Sequence, residues 1–129
     1  MKIRLAVPAI AAAALALAAC GGGSSSDSGS TAPLPADADV VVKAVDPLAW
    51  DKKDYTATAG DVVIAVENDS SQPHNLRIVD SSDTQLPGAL DIPSRGDVAS
   101  ETTTLVAGSY TLICTIPGHT NMKATLTVS

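Results

Sequence analysis

The stretch Cys114-Thr115-Ile116-Pro117-Gly118-His119-Thr120-Asn121-Met122 places a thiol, an imidazole and a thioether within one short loop. The chain contains two histidines, and the other, His74, follows Pro73. It contains two cysteines and two methionines, of which the remaining ones are Cys20 and the initiator Met1. Every soft or imidazole donor downstream of Cys20 therefore belongs to one candidate set: His74, Cys114, His119 and Met122. Taken singly, an inward cysteine is a small hydrophobe and a methionine is core filler. Taken together in this order, they are the donors of a metal site. An unpaired thiol in an oxidising compartment calls for such a role.

The donor types select the metal. A thiolate and two imidazoles in one plane, with a long and weak thioether contact, make a blue-copper electron-transfer site. Structural zinc normally takes four strong ligands and has little use for a thioether. The expectation is one copper ion, cycling between Cu(I) and Cu(II).

The elements that must bring these residues together read as strands. Residues 40–45 are β-rich. Residues 61–67 put Val62, Ile64 and Val66 on one face, residues 75–80 put Leu76 and Ile78 on one face, and residues 109–114 turn Tyr110, Leu112 and Cys114 inward. Residues 124–128 alternate Ala124, Leu126 and Val128 with threonines, and residues 100–106 are a weaker strand candidate. Alternation at period two marks half-buried strands. Turn signals lie between them, among them Asn68-Asp69-Ser70, Pro87-Gly88 and Pro117-Gly118. Residues 81–97 are the longest irregular stretch. Many short strands with regular turns predict an all-β, antiparallel β-sandwich. With a strand ending at Cys114 and another starting near Lys123, the loop ligands must share one end of it. His74, opening the strand 75–80, can point into the same end. Trp50 reads as packing rather than as an electron relay. Tyr110 is expected to pack inside, a tyrosine corner being the less favoured alternative.

Upstream of this domain the chain has a different character. Lys2 and Arg4 precede an almost wholly apolar run over residues 5–19. The run is shorter than the roughly 20 residues of a membrane-spanning helix and has the build of a signal peptide. It ends in Leu17-Ala18-Ala19-Cys20, which resembles a bacterial lipobox, with Cys20 the lipidated residue. Two acyl chains there would suffice for stable attachment to a membrane. Residues 20–36 are then a Gly/Ser/Pro-rich tether, and sixteen such residues span about 22 Å root-mean-square. Residues 37–129 form the single folded domain, large enough for one modest core. The expected location is the extracytoplasmic face of a bacterial membrane, in the cell envelope or periplasm. Without the basic leader, six basic residues stand against fourteen acidic ones, a charge of −8. That balance disfavours nucleic acid and anionic lipid heads, so no nucleic-acid partner is expected, and it favours partners carrying a basic docking patch.

Residues 40–129 resemble the cupredoxin family, the blue-copper proteins of the plastocyanin, azurin and amicyanin type. The resemblance is carried by Ala107-Gly108-Ser109-Tyr110 through Val128, which look like the closing strand, ligand loop and last strand, and by Ala59-Gly60-Asp61 to Pro73-His74-Asn75. It implies a Greek-key sandwich and single-electron transfer between larger redox proteins. It implies His74 and His119 as imidazole ligands, Cys114 as thiolate and Met122 as axial thioether. It also implies that Asn75 hydrogen-bonds across to Thr115, fixing the ligand loop, and that His119 reaches an exposed apolar patch near Pro117 and Ile116. The Cys114–His119 spacing is similar to azurin's, and the His119–Met122 spacing to amicyanin's.

The leading function is thus an electron carrier, not an enzyme, with a redox protein as donor, another as acceptor, and no small-molecule substrate. A copper module for buffering or delivery would use the same ligands. Two histidines are too few for a further catalytic copper cluster, and the donor count argues against a metal-free adhesive sandwich.

Overall fold

A computed structural model describes residues 32–129. The signal-peptide reading, the lipidation of Cys20 and most of the tether lie outside the described residues. Nine strands follow in order: β1 Val40–Val45, β2 Ala49–Trp50, β3 Asp54–Ala57, β4 Gly60–Asp69, β5 His74–Val79, β6 Leu90–Ile92, β7 Val98–Leu105, β8 Gly108–Ile113 and β9 Lys123–Val128. Among the described residues there is no helix.

The strands form two sheets, β2-β1-β4-β7 and β3-β9-β8-β5-β6, packed as a sandwich. The core between them is the set that the alternation puts inward. Val42, Ile64, Val66, Leu112 and Leu126 are fully buried, with Leu76, Ile78 and Val128 beside them. Removing that apolar surface from water is the main force holding the sheets together. Most pairings are antiparallel, as expected, but β1 lies parallel to β4 and β3 parallel to β9. A parallel neighbour requires a crossover rather than a hairpin, and here the crossovers pass from one sheet to the other.

Three strands escape the sequence reading. β2 and β3 lie in a polar segment, and in β3 only Tyr55 is buried. β6 lies within the stretch 81–97 read as irregular, where it pairs with β5 so that Ile92 faces His74. Tyr110 packs inside as expected, and its hydroxyl also donates to the Val106 carbonyl at 2.9 Å. This is the backward hydrogen bond of a tyrosine corner, the alternative that the sequence reading favoured less.

This topology positions the ligand candidates. β5 and β8 are antiparallel neighbours, with Arg77 opposite Ile113. The start of β5, His74, and the residue after β8, Cys114, therefore lie at the same end of the sandwich. The β8–β9 connection crosses that end and carries His119 and Met122.

Candidate metal centre

The β8–β9 loop is shaped by its own backbone. Pro117 and Gly118 form the centre of a tight turn in which the His119 N–H donates to the Ile116 carbonyl at 3.0 Å. Gly118 has φ of +89°, a conformation that costs glycine little and other residues much. A second reversal follows, with the Met122 N–H donating to the His119 carbonyl at 2.9 Å. The Cys114 N–H closes the loop by donating to the Met122 carbonyl at 3.3 Å.

These turns deliver the side chains to one buried point. The Cys114 sulfur lies 3.6 Å from His119 Nδ1. His119 Nδ1 lies 3.2 Å from His74 Nδ1. The donor atoms of the three residues all lie within 4.8 Å of one another. His74 and Met122 are 1% exposed, Cys114 5% and His119 8%. The structure therefore gathers His74, Cys114 and His119, from strands and loop forty residues apart, with Met122 buried in the same loop.

The arrangement fits a metal ion. Three donors around a first-row ion at roughly 2.0–2.3 Å stand roughly 3.5–4 Å apart when they share a plane. The two nitrogens and the sulfur are near that spacing. Two ring nitrogens facing each other at 3.2 Å must either share a hydrogen or turn both lone pairs toward a common cation. The His74 imidazole is held below the usual histidine range, first by burial and then by the charge of His119, with Asp46 opposing. Burial therefore favours the neutral ring, the form that binds a metal.

The surrounding side chains hold the donors still. Asn75 Oδ1 accepts the Thr115 N–H at 2.8 Å, and Asn75 Nδ2 donates to the Thr115 hydroxyl at 3.0 Å. The Trp50 ring stands 6.4 Å from the His74 ring, tilted by 54°, inside the core. Ser70, 0% exposed, places its hydroxyl 2.6 Å from His74 Nε2. Asn68 accepts the Ser70 N–H at 2.9 Å. The sequence reading gave Asn68-Asp69-Ser70 only as a turn. In the structure Asn68 and Asp69 end β4, and both Asn68 and Ser70 turn into the interior. The available signal was two small polar residues six and four positions before a ligand candidate.

A soft-donor site at the end of a nine-stranded sandwich defines the cupredoxin class of copper-binding proteins. Residues 36–129 match the profile of the copper binding proteins of the plastocyanin/azurin family, and the chain belongs to that family. No curated protein matches. Among solved structures, the chain is similar to dithionite-reduced auracyanin from the photosynthetic bacterium Roseiflexus castenholzii. The two are 25% identical, with a TM-score of 0.61 over 70% of this chain and 95% of auracyanin. Amicyanin from Paracoccus versutus is 23% identical, with a TM-score of 0.61 over 82% of this chain and 94% of amicyanin. An azurin from Methylomonas sp. strain J is 16% identical, with a TM-score of 0.63 over 73% of this chain and 99% of the azurin. The last two likenesses show the shared fold. The family and the donor set give the protein one copper ion as its cofactor and make it a blue-copper electron-transfer protein.

Proposed function

We propose that this protein carries single electrons between two redox proteins at the outer face of a bacterial membrane, using copper held by His74, Cys114, His119 and Met122. The observation that carries the reading is the buried meeting of one thiol and two imidazole nitrogens at 3.6 and 3.2 Å, in a chain of the copper-binding family. Bound copper supplies a one-electron change between Cu(I) and Cu(II). The residues supply the rest. Cys114 would give the thiolate, His74 and His119 the imidazoles, and Met122 the weak thioether. The Pro117-Gly118 turn and the Asn75–Thr115 bonds keep these groups from moving when the charge changes, which keeps rearrangement small. His119 is the most exposed of the four, and Pro117, Gly118 and Thr120 around it face solvent. Electrons would enter and leave along that edge. The charge of −8 downstream of the leader suits partners with basic docking patches.

Burial of all four residues favours carriage over copper delivery, since delivery needs ligands that a recipient can reach. Attachment through a diacylated Cys20 rests on the leader and the lipobox resemblance, and mass spectrometry of the membrane-extracted N-terminal peptide tests it.

The central test is optical. One equivalent of Cu(II) added to residues 37–129 is expected to give an intense blue absorption, absent from Cys114→Ser. A colourless wild-type complex sinks the reading. Metal exchange faster than electron self-exchange would favour delivery instead.

A further inference from the structure

The geometry points to Ser70, held by Asn68, as a positioning residue that fixes which nitrogen of His74 faces the metal and tilts the site toward its oxidised state. The inference rests on the copper reading for its effect on potential, but its hydrogen-bond logic stands on the protein alone.

The network is closed and buried. Asn68 is 1% exposed, Ser70 0% and His74 1%. Asn68 Nδ2 donates to the Gln72 carbonyl at 2.8 Å and to the Ile92 carbonyl at 2.9 Å. Both amide hydrogens are used, so the amide orientation is fixed, and Asn68 Oδ1 faces Ser70 as an acceptor. It takes the Ser70 N–H at 2.9 Å and lies 3.0 Å from the Ser70 hydroxyl. The Ser70 oxygen in turn accepts the Gln72 N–H at 3.1 Å. Its single hydrogen has three acceptors within reach, two of them carbonyl oxygens: Asn68 Oδ1, the Gln72 carbonyl at 3.2 Å and, were the ring protonated at Nδ1, His74 Nε2. With that hydrogen on either carbonyl, the Ser70 oxygen presents a lone pair to His74 Nε2 at 2.6 Å. A hydroxyl that has given its proton away can only accept there. His74 Nε2 must then carry the hydrogen, and Nδ1 keeps the lone pair that faces His119 and Cys114.

The consequence is electronic as well as geometric. An acceptor on Nε2–H increases the basicity of the other ring nitrogen. A more basic donor favours the ion of higher charge, so the contact stabilises Cu(II) more than Cu(I). Asn68 lies at the end of β4 and Ser70 on the β4–β5 connection, so the same pair ties the start of β5 to β6 through the Ile92 carbonyl.

Two measurements test this. In copper-free wild-type protein at a pH where His74 is neutral, nitrogen-15 NMR is expected to show His74 protonated at Nε2, with a slowly exchanging hydrogen. A ring protonated at Nδ1 overturns the proposal, and this result is independent of any copper chemistry and of any variant. In copper-loaded protein, Ser70→Ala is expected to lower Cu(II) affinity about 10–100-fold and Cu(I) affinity less. A tenfold difference between the two oxidation states raises the potential by about 59 mV for one electron. Ser70→Thr, which keeps the hydroxyl, is expected to restore most of the shift. An unchanged potential in the alanine variant, or an equal shift in both variants, overturns the electronic role. A wild-type protein that shows the Nε2 tautomer but no blue centre would instead remove the copper reading and leave the hydrogen-bond assignment standing.

Discussion

Asn75 and Thr115 grip each other across the end of the sandwich, one at the start of β5 and the other one residue past Cys114. The Thr115 N–H and hydroxyl lie 2.8 and 3.2 Å from Asn75 Oδ1, and the Asn75 amide donates back at 3.0 Å. The pair ties the strand of His74 to the loop of Cys114, so the distance between imidazole and thiolate does not depend on the loop alone. Asn75→Ala should cost the copper-free protein about 1–2 kcal/mol, because each net hydrogen bond is worth about 0.5–1.5 kcal/mol and water can reach this pair. It should also weaken copper binding about 10–100-fold. Urea unfolding and competition with a chelator measure the two effects. Weakened unfolding with unchanged copper affinity would mean the bond serves the fold only.

Met122 is 1% exposed and belongs to the core as well as to the loop. Met122→Leu keeps the volume, so the fold should lose less than about 1.5 kcal/mol. The variant lacks the thioether, whose weak donation helps the cupric ion more than the cuprous one. The blue colour should persist, and the reduction potential should rise. Voltammetry reads the outcome, and an unchanged potential would show that the sulfur is not a donor to the metal.

Much of this centre could be read from the chain because alternation is a strong signal. Val62, Ile64 and Val66 repeat at period two and are buried, and the same holds for Tyr110, Leu112 and Cys114. The loop from Cys114 to Met122 is continuous, so its donors could not lie far apart. Long-range pairing carries no such signature. The parallel partnership of β1 with β4 and of β3 with β9 depends on which sheet each crossover enters. β6 has three residues and β2 has two, too few for a period to show. Asn68 and Ser70 escaped for another reason. Small polar residues favour turns because their side chains bond to nearby backbone, and they form the same local bonds here while completely buried.

Tyr110 offers a control on the far side of β8 from the ligand loop. Its hydroxyl donates to the Val106 carbonyl at 2.9 Å and clamps the β7–β8 connection. Tyr110→Phe removes that bond and leaves the ring in the core, so stability should fall by about 1 kcal/mol. The copper spectrum and potential should be unchanged. A shifted spectrum would mean that the clamp reaches the metal end through β8, and that Cys114 is less firmly held than its burial implies.

Glu101 sets a pH dependence that has nothing to do with the metal. In the β4–β7 ladder it stands opposite the fully buried Ile64, so its side chain enters the sandwich on the inner face of an edge strand. Its carboxylate lies against Gly88, where φ is +119° and a Cβ would meet the carboxylate oxygens. An inward charge of this kind blunts an edge strand against pairing with another chain. Burial raises the Glu101 carboxyl above the ordinary glutamate range, and the Arg77 cation only partly offsets this. A raised value in the folded state means that folding favours the neutral carboxyl. That contribution is fully present below the ordinary range and is lost as the pH climbs through the raised value. Glu101→Gln is uncharged throughout. It should therefore match the wild type at about pH 4, near the ordinary carboxyl range, and exceed it in urea resistance at about pH 7. A glutamine variant weaker than wild type at neutral pH would show that attraction to Arg77 outweighs burial.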